Sequence, residues 1–68
     1  MTMNKPLVSV IMPVYNGEKY IKQAVDSVYE QGVSLELLVI DDGSTDRTKE
    51  VLSAYEGREG FQYIKNKQ

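Results

Sequence analysis

The sequence predicts an α/β fold: a three-stranded parallel sheet built in β-α-β-α-β order. Three observations lead there. Short apolar runs, the first of them rich in β-branched residues, recur at Leu7–Val14, Leu35–Ile40 and Phe61–Ile64. Amphipathic stretches with helical spacing separate them. The connections hold only a few turn-forming residues, and such alternation favours parallel strands joined by right-handed crossovers.

The first run, Leu7-Val8-Ser9-Val10-Ile11-Met12-Pro13-Val14, is apolar on both alternating faces except at Ser9, as in a strand covered on two sides. Pro13 lacks an N–H donor and is expected to end the ladder. Tyr15-Asn16-Gly17 reads as a turn. From Glu18 to Gln31 a helix is expected, because Ile21, Ala24, Val25, Val28 and Tyr29 share one face. Asn16 is its expected N-cap, Glu18 suits the positive end of the helix dipole, and Gly32 is the stop signal.

Leu35–Ile40 is the second strand, and Asp41-Asp42-Gly43-Ser44 follows at its carboxyl end. A second helix is expected to start near Ser44 or Thr45, with Asp46 in its first turn and Val51, Leu52, Tyr55 and Thr48 on its inner face. Gly57 and Gly60 flank a turn. Phe61–Ile64 is the third strand, and a polar tail, Lys65 to Gln68, follows. If the strands lie in the order 3-2-1, both helices fall on one face of the sheet. Val8, Val10 and Met12 nevertheless alternate with Leu7, Ile11 and Pro13, and Leu35, Leu37 and Val39 alternate with Leu38 and Ile40. One apolar sheet face then has no cover within these residues, and further sequence or a partner subunit is expected to supply it.

Composition removes several chemistries. A chain of 68 residues makes one domain at most, and one this small buries only about 60% of the surface its unfolded form exposes. It has neither Cys nor His, which excludes disulfides, thiolate metal sites and every Ser-His-Asp triad. The net charge of −2 and the scattered basic residues give no electrostatic reason for nucleic-acid binding. No signal-peptide apolar core is present, and no run approaches the roughly 20 apolar residues of a membrane span.

Ligands of open α/β sheets bind beyond the carboxyl ends of the strands. Pro13-Val14-Tyr15-Asn16-Gly17 and Asp41-Asp42-Gly43-Ser44-Thr45-Asp46 both fall there, and both lead into helix N-termini whose N–H groups favour anions. A nucleoside diphosphate suits such a crevice: a Tyr can stack on a base, and a carboxylate can accept from a base N–H or a ribose hydroxyl.

Those two segments carry a family resemblance. Val8-Ser9-Val10-Ile11-Met12-Pro13-Val14-Tyr15-Asn16 is similar to the opening strand and turn of family 2 glycosyltransferases. Leu38-Val39-Ile40-Asp41-Asp42-Gly43-Ser44-Thr45-Asp46-Arg47-Thr48 resembles their second-strand signature. The helix between them, with Ala24-Val25-Asp26-Ser27-Val28 and Gln31, matches in length and character, so the likeness runs from about Leu7 to Ile64. The resemblance implies the Rossmann-like half of a GT-A fold and inverting transfer from a nucleotide-activated sugar, most often a UDP-sugar. It also implies a divalent metal, manganese or magnesium, in the complete enzyme. By position it places Pro13 and Tyr15 against the base, Val14 and Asn16 beside them through backbone contacts, and Asp42 as acceptor from the base. Asp41 is the lesser candidate, since adjacent strand residues point to opposite faces. Gly43 lets the chain turn close to the ligand. The family's acidic metal motif and its general base lie further along, so residues 1–68 are expected to be the N-terminal, nucleotide-binding part of the domain, inactive alone. The acceptor would be a glycan, lipid or polysaccharide. The expected location is the cytoplasm, or the cytoplasmic face of a membrane for the parent enzyme.

Blander and rival readings exist. Asp41-Asp42-Gly43-Ser44 is also an ordinary strand-to-helix turn, Tyr15 could close a core, and Tyr20, Tyr29, Tyr55 and Tyr63 read as packing residues. Asp41, Asp42 and Asp46 lack the spacing of a calcium loop. A receiver-like regulatory domain usually carries its acidic pair after the first strand, whereas here the pair follows the second. A dinucleotide-binding oxidoreductase would want G-x-G-x-x-G, a P-loop G-x-x-x-x-G-K-[ST], and a haloacid-dehalogenase-type phosphatase D-x-D-x-T. None is present. A non-enzymatic module assembling through the bare sheet face, as a homo-oligomer, is the remaining alternative.

Overall fold

The computed structural model describes residues 8–32 and 34–66. Leu7, the expected first residue of the first strand, and the end of the polar tail at 67–68 lie outside the described residues. The elements are β1 (Val8–Val14), α1 (Ile21–Tyr29), β2 (Leu35–Asp41), α2 (Thr48–Leu52) running into a 3-10 turn (Ser53–Tyr55), and β3 (Phe61–Lys65). The strands form one parallel sheet in the order β1-β2-β3.

Val8, Val10, Met12 and Val14 pair across the sheet with Leu35, Leu37, Val39 and Asp41, and Leu37, Val39 and Asp41 with Phe61, Tyr63 and Lys65. This face carries the core. Val14, Leu37 and Val39 are buried against Ile21 and Val25 of α1, Leu52 of α2 and Tyr55, with Val10, Met12, Val28, Tyr29, Leu35, Val51, Phe61 and Tyr63 packed around them. Both helices therefore lie on the same side, as the crossover rule requires for this strand order. Tyr55 closes the layer by stacking at 5.8 Å on Phe61, while its hydroxyl donates to Asp26 of α1 at 2.7 Å.

The opposite face begins polar, where the Ser9 hydroxyl donates to Glu36 at 2.7 Å. It then turns apolar. Ile11 pairs with Leu38, and Pro13, Ile40 and Ile64 form the next row. Ile11 is 63% exposed. Among the described residues nothing covers this face.

Four expectations are corrected. The ladder does not end at Pro13, because Val14 still pairs with Asp41. The Val8 amide donates to the Ser34 carbonyl and the Val14 carbonyl accepts from Asp42, so the even residues of β1 bond inward to β2. The nitrogen of Pro13 faces the outer edge, and no ladder bond is lost. The first helix starts at Ile21 rather than Glu18 and ends at Tyr29 rather than Gln31. Residues 18–20 form a turn, with the Gly17 carbonyl accepting from Tyr20 and Ile21. Asn16 does not cap that helix. The second helix starts at Thr48, because the preceding residues are held in another shape by the side chains described next.

Candidate functional site

The turn after β1 and the turn after β2 emerge side by side, because β1 and β2 are parallel neighbours in register to their last residues. The Asp42 amide donates to the Val14 carbonyl at 2.9 Å, which fixes the start of the second turn against the end of β1. From there the two turns are laced together. The Asn16 amide donates to the Ser44 hydroxyl at 2.8 Å, the Gly17 amide to the Thr48 hydroxyl at 2.7 Å, and the Glu18 amide to the Asp46 carboxylate at 3.2 Å. In return, the Asn16 carboxamide oxygen accepts from the Thr45 amide at 2.7 Å and the Asp46 amide at 3.3 Å, and Glu18 accepts from the Arg47 amide at 3.1 Å.

The centre of this junction is buried. Thr48 is inaccessible to solvent; its hydroxyl accepts from Gly17 and donates to Asp46, which also takes the Thr48 amide at 2.9 Å. Burial works to raise the Asp46 carboxyl, but the bonds from the Thr48 hydroxyl and amide and from the Glu18 amide hold it below the usual carboxylate range. Gly17 is required by space, since a Cβ there would meet Val14 Cγ2 at 2.7 Å and Tyr20 Cζ at 2.8 Å.

The two acids after β2 part company. Asp41 points into the helix side of the sheet and is 1% exposed. Its carboxylate accepts from the Ser44 amide at 2.9 Å and from the Tyr63 hydroxyl at 2.6 Å. Burial would raise this carboxyl, yet the bonds from Ser44 and Tyr63, with the charge of Lys65, keep it below its ordinary value. The Tyr63 hydroxyl is pushed up to about 12, by burial first and then by its bond to Asp41 and that carboxylate's charge. Asp42 is exposed.

The remaining site residues named from sequence sit around this junction. Pro13 and Tyr15 are exposed, and Tyr15, at 58% exposure, is not a core aromatic. Val14 is buried, and its carbonyl is occupied by Asp42. Gly43 turns at φ 87°, a conformation glycine adopts without strain. The expected anion cradle is corrected. The amides of residues 44 to 48 donate to Asp41, Asn16, Glu18 and Asp46, and those of 16 to 18 to Ser44, Thr48 and Asp46. Those N–H groups serve the protein, not an incoming phosphate. The sequence reading missed Ser44, Asp46, Thr48, Glu18 and Tyr63 as builders of the site. The local signals for any of them were the i, i+2 spacing of Asp46 and Thr48 and the i, i+3 spacing of Asp41 and Ser44.

Residues 9–68 match the glycosyl transferase family 2 domain. The chain belongs to that family. Among its relatives, an uncharacterized glycosyltransferase of Haemophilus influenzae is 50% identical over 52 residues, 75% of this chain and 21% of that protein. A putative teichuronic acid biosynthesis glycosyltransferase of Bacillus subtilis is 49% identical over 57 residues, 82% of this chain and 23% of that protein. A solved mannosyltransferase from Pyrobaculum calidifontis, in complex with GDP-Man and Mn2+, superposes with a TM-score of 0.81 at 28% identity, over 97% of this chain and 21% of that one. The chain is thus a glycosyltransferase segment with the GT-A architecture, spanning about a fifth of the length of these relatives.

A divalent metal accompanies donor binding in that solved mannosyltransferase. The residues described here do not fit one. No group of three or more acidic or other metal-ligating side chains comes together among them. Asp41 and Asp46 already have their oxygens committed to N–H and O–H donors. Also among the described residues, no helix is long and apolar enough to cross a membrane.

Proposed function

We propose that residues 1–68 form the nucleoside-recognising part of the donor site of an inverting glycosyltransferase that uses a UDP-sugar. The observation that supports this reading is the fastening of the two turns, which ties the segment carrying the exposed Tyr15 to the turn carrying the exposed Asp42. In this reading the base lies against Tyr15 and Pro13, with stacking worth about 1–3 kcal/mol, and Asp42 accepts from a base N–H. Gly43 lets the chain come close to the ribose. Because the N–H groups of residues 44 to 48 are engaged, the diphosphate is held by residues beyond these. The metal (manganese or magnesium), the general base and the binding of a glycan, lipid or polysaccharide acceptor belong there too. These 68 residues alone do not transfer sugar. The parent enzyme works in the cytoplasm or at the cytoplasmic face of a membrane. In the isolated chain, a second copy covers the bare sheet face.

Titration of the chain with UDP, uridine and GDP, with and without Mn2+, tests the reading by chemical-shift perturbation. Shifts should cluster at residues 13–17 and 41–45, with uridine nearly as effective as UDP and Mn2+ without influence. Asp42→Ala should weaken binding by about tenfold or more, the worth of a hydrogen bond to a charged group. Tighter binding of GDP than UDP would replace uracil by guanine. A folded chain that binds none of the three would sink the proposal.

A further inference from the structure

We infer that Asn16 is a positioning residue: its carboxamide, not its contact with any ligand, sets where the Tyr15 ring stands relative to Asp42. The inference rests on the donor-site reading above and deepens it. Asn16 follows Tyr15 directly, and it is the one non-glycine residue with positive φ, at 52°, among the described residues. Asparagine enters that region more readily than most side chains. In that conformation its backbone amide reaches Ser44 at 2.8 Å, while its side-chain oxygen turns to the next two residues of the same turn, accepting from the Thr45 amide at 2.7 Å and the Asp46 amide at 3.3 Å. The Thr45 hydroxyl stands 3.5 Å from the same oxygen. One residue therefore grips three consecutive residues of the opposite turn, 28 to 30 positions away in sequence.

Each of those residues lies within four positions of Asp42, and Asp42 is itself bonded through its amide to Val14, just before Tyr15. Tyr15 is thus bracketed by ties to the Asp42 turn, one before it at Val14 and a cluster after it that begins at Asn16. The tie on the Val14 side is sheet-like and survives any side-chain change. On the Asn16 side the amides of residues 16–18 donate whatever the side chain at 16, but the hold on Thr45 and Asp46 depends on an acceptor at that position and on tolerance of positive φ. A glycine keeps the backbone conformation and removes the acceptor. An aspartate keeps both. The carboxamide oxygen is occupied by Thr45 and Asp46, so its removal should act through turn geometry and not through a lost ligand contact.

The test compares Asn16→Gly and Asn16→Asp with the unaltered chain. Amide hydrogen exchange, read residue by residue without ligand, should show Thr45 and Asp46 exchanging faster by about tenfold in Asn16→Gly, the loss of roughly one hydrogen bond. Both amides should regain protection in Asn16→Asp, with Val39 unchanged in every variant as the sign of an intact core. UDP affinity should fall about tenfold in Asn16→Gly. Unaltered protection of Thr45 and Asp46 in Asn16→Gly would overturn the inference, and so would undiminished UDP affinity in that variant. If the unaltered chain binds neither UDP nor GDP, the donor-site reading falls, and the exchange pattern still decides whether Asn16 is the lock.

Discussion

Asp41 and Asp42 are chemically identical neighbours with opposite circumstances, and the sheet makes the difference. Strand alternation turns Asp41 into the layer between sheet and helices and leaves Asp42 at the surface. A buried carboxylate needs donors, and Asp41 finds the Ser44 amide and the Tyr63 hydroxyl. Tyr63→Phe should therefore destabilise the chain by about 1.5–3 kcal/mol, measured as a shift in denaturant midpoint. The pH dependence follows from the lowered carboxyl. With a folded value below the unfolded value of about 3.9, the stabilisation is complete above that value and disappears as pH falls through the folded one. In Tyr63→Phe the carboxyl loses a donor, so the acid loss of melting temperature should begin at higher pH. An acid limb identical in both proteins would remove Tyr63 from the account. The division of the two acids was legible in the sequence, because alternation needs no partner. Tyr63 was legible only as an aromatic on a strand. Its bond to Asp41 spans 22 residues and depends on β3 pairing so that Val39 meets Tyr63.

At the scale of elements, strands and their order were readable while helix starts were not, and one residue explains why. An asparagine just ahead of an apolar-periodic stretch is an ordinary N-cap signal. Asn16 caps instead the amides of the other turn, which are equally short of partners but distant in sequence. With Asn16, Glu18 and Asp46 committed across the junction, the helices begin only at Ile21 and at Thr48, the last junction residue of its turn. The connection into β3 shows the same dependence on close approach. Gly57 and Gly60 both have positive φ, at 91° and 83°, but a Cβ on Gly57 meets nothing within 4 Å whereas one on Gly60 lies 2.7 Å from the Leu35 carbonyl oxygen. Gly57→Ala should cost about 1 kcal/mol from backbone conformation alone. Gly60→Ala should cost a further 1–3 kcal/mol or so, since the Gly60 carbonyl also accepts from Leu37 at 2.7 Å and cannot retreat freely. Equal losses in chemical denaturation would show that the β3 connection yields more easily than the structure implies.

For the molecule as a whole, the governing fact is a sheet that the described residues cover on one side only. Ile11, Pro13, Leu38, Ile40 and Ile64 form a continuous apolar surface, and burying one such Ile or Leu fully is worth about 1.5–3 kcal/mol. Contiguous apolar patches of this kind are unusual on a monomer. The isolated chain should self-associate as its concentration rises, and Ile11→Thr combined with Ile64→Thr should move it toward the monomer in sedimentation velocity without changing the helix-side core. An association constant unmoved by that pair would clear the face of any part in it. The edge of β1 that no described residue pairs with is a different matter from the face. The backbone there offers outward N–H groups at Ser9 and Ile11 but none at Pro13, whose ring occupies the next outward position. A foreign strand trying to lengthen the sheet along β1 could register against two donors and would then run out of pairing just before the turn that carries Tyr15. Cross-strand growth of the aggregating kind is thereby stopped short of the turn at residues 15–17, which stays accessible even if the rest of the edge is captured.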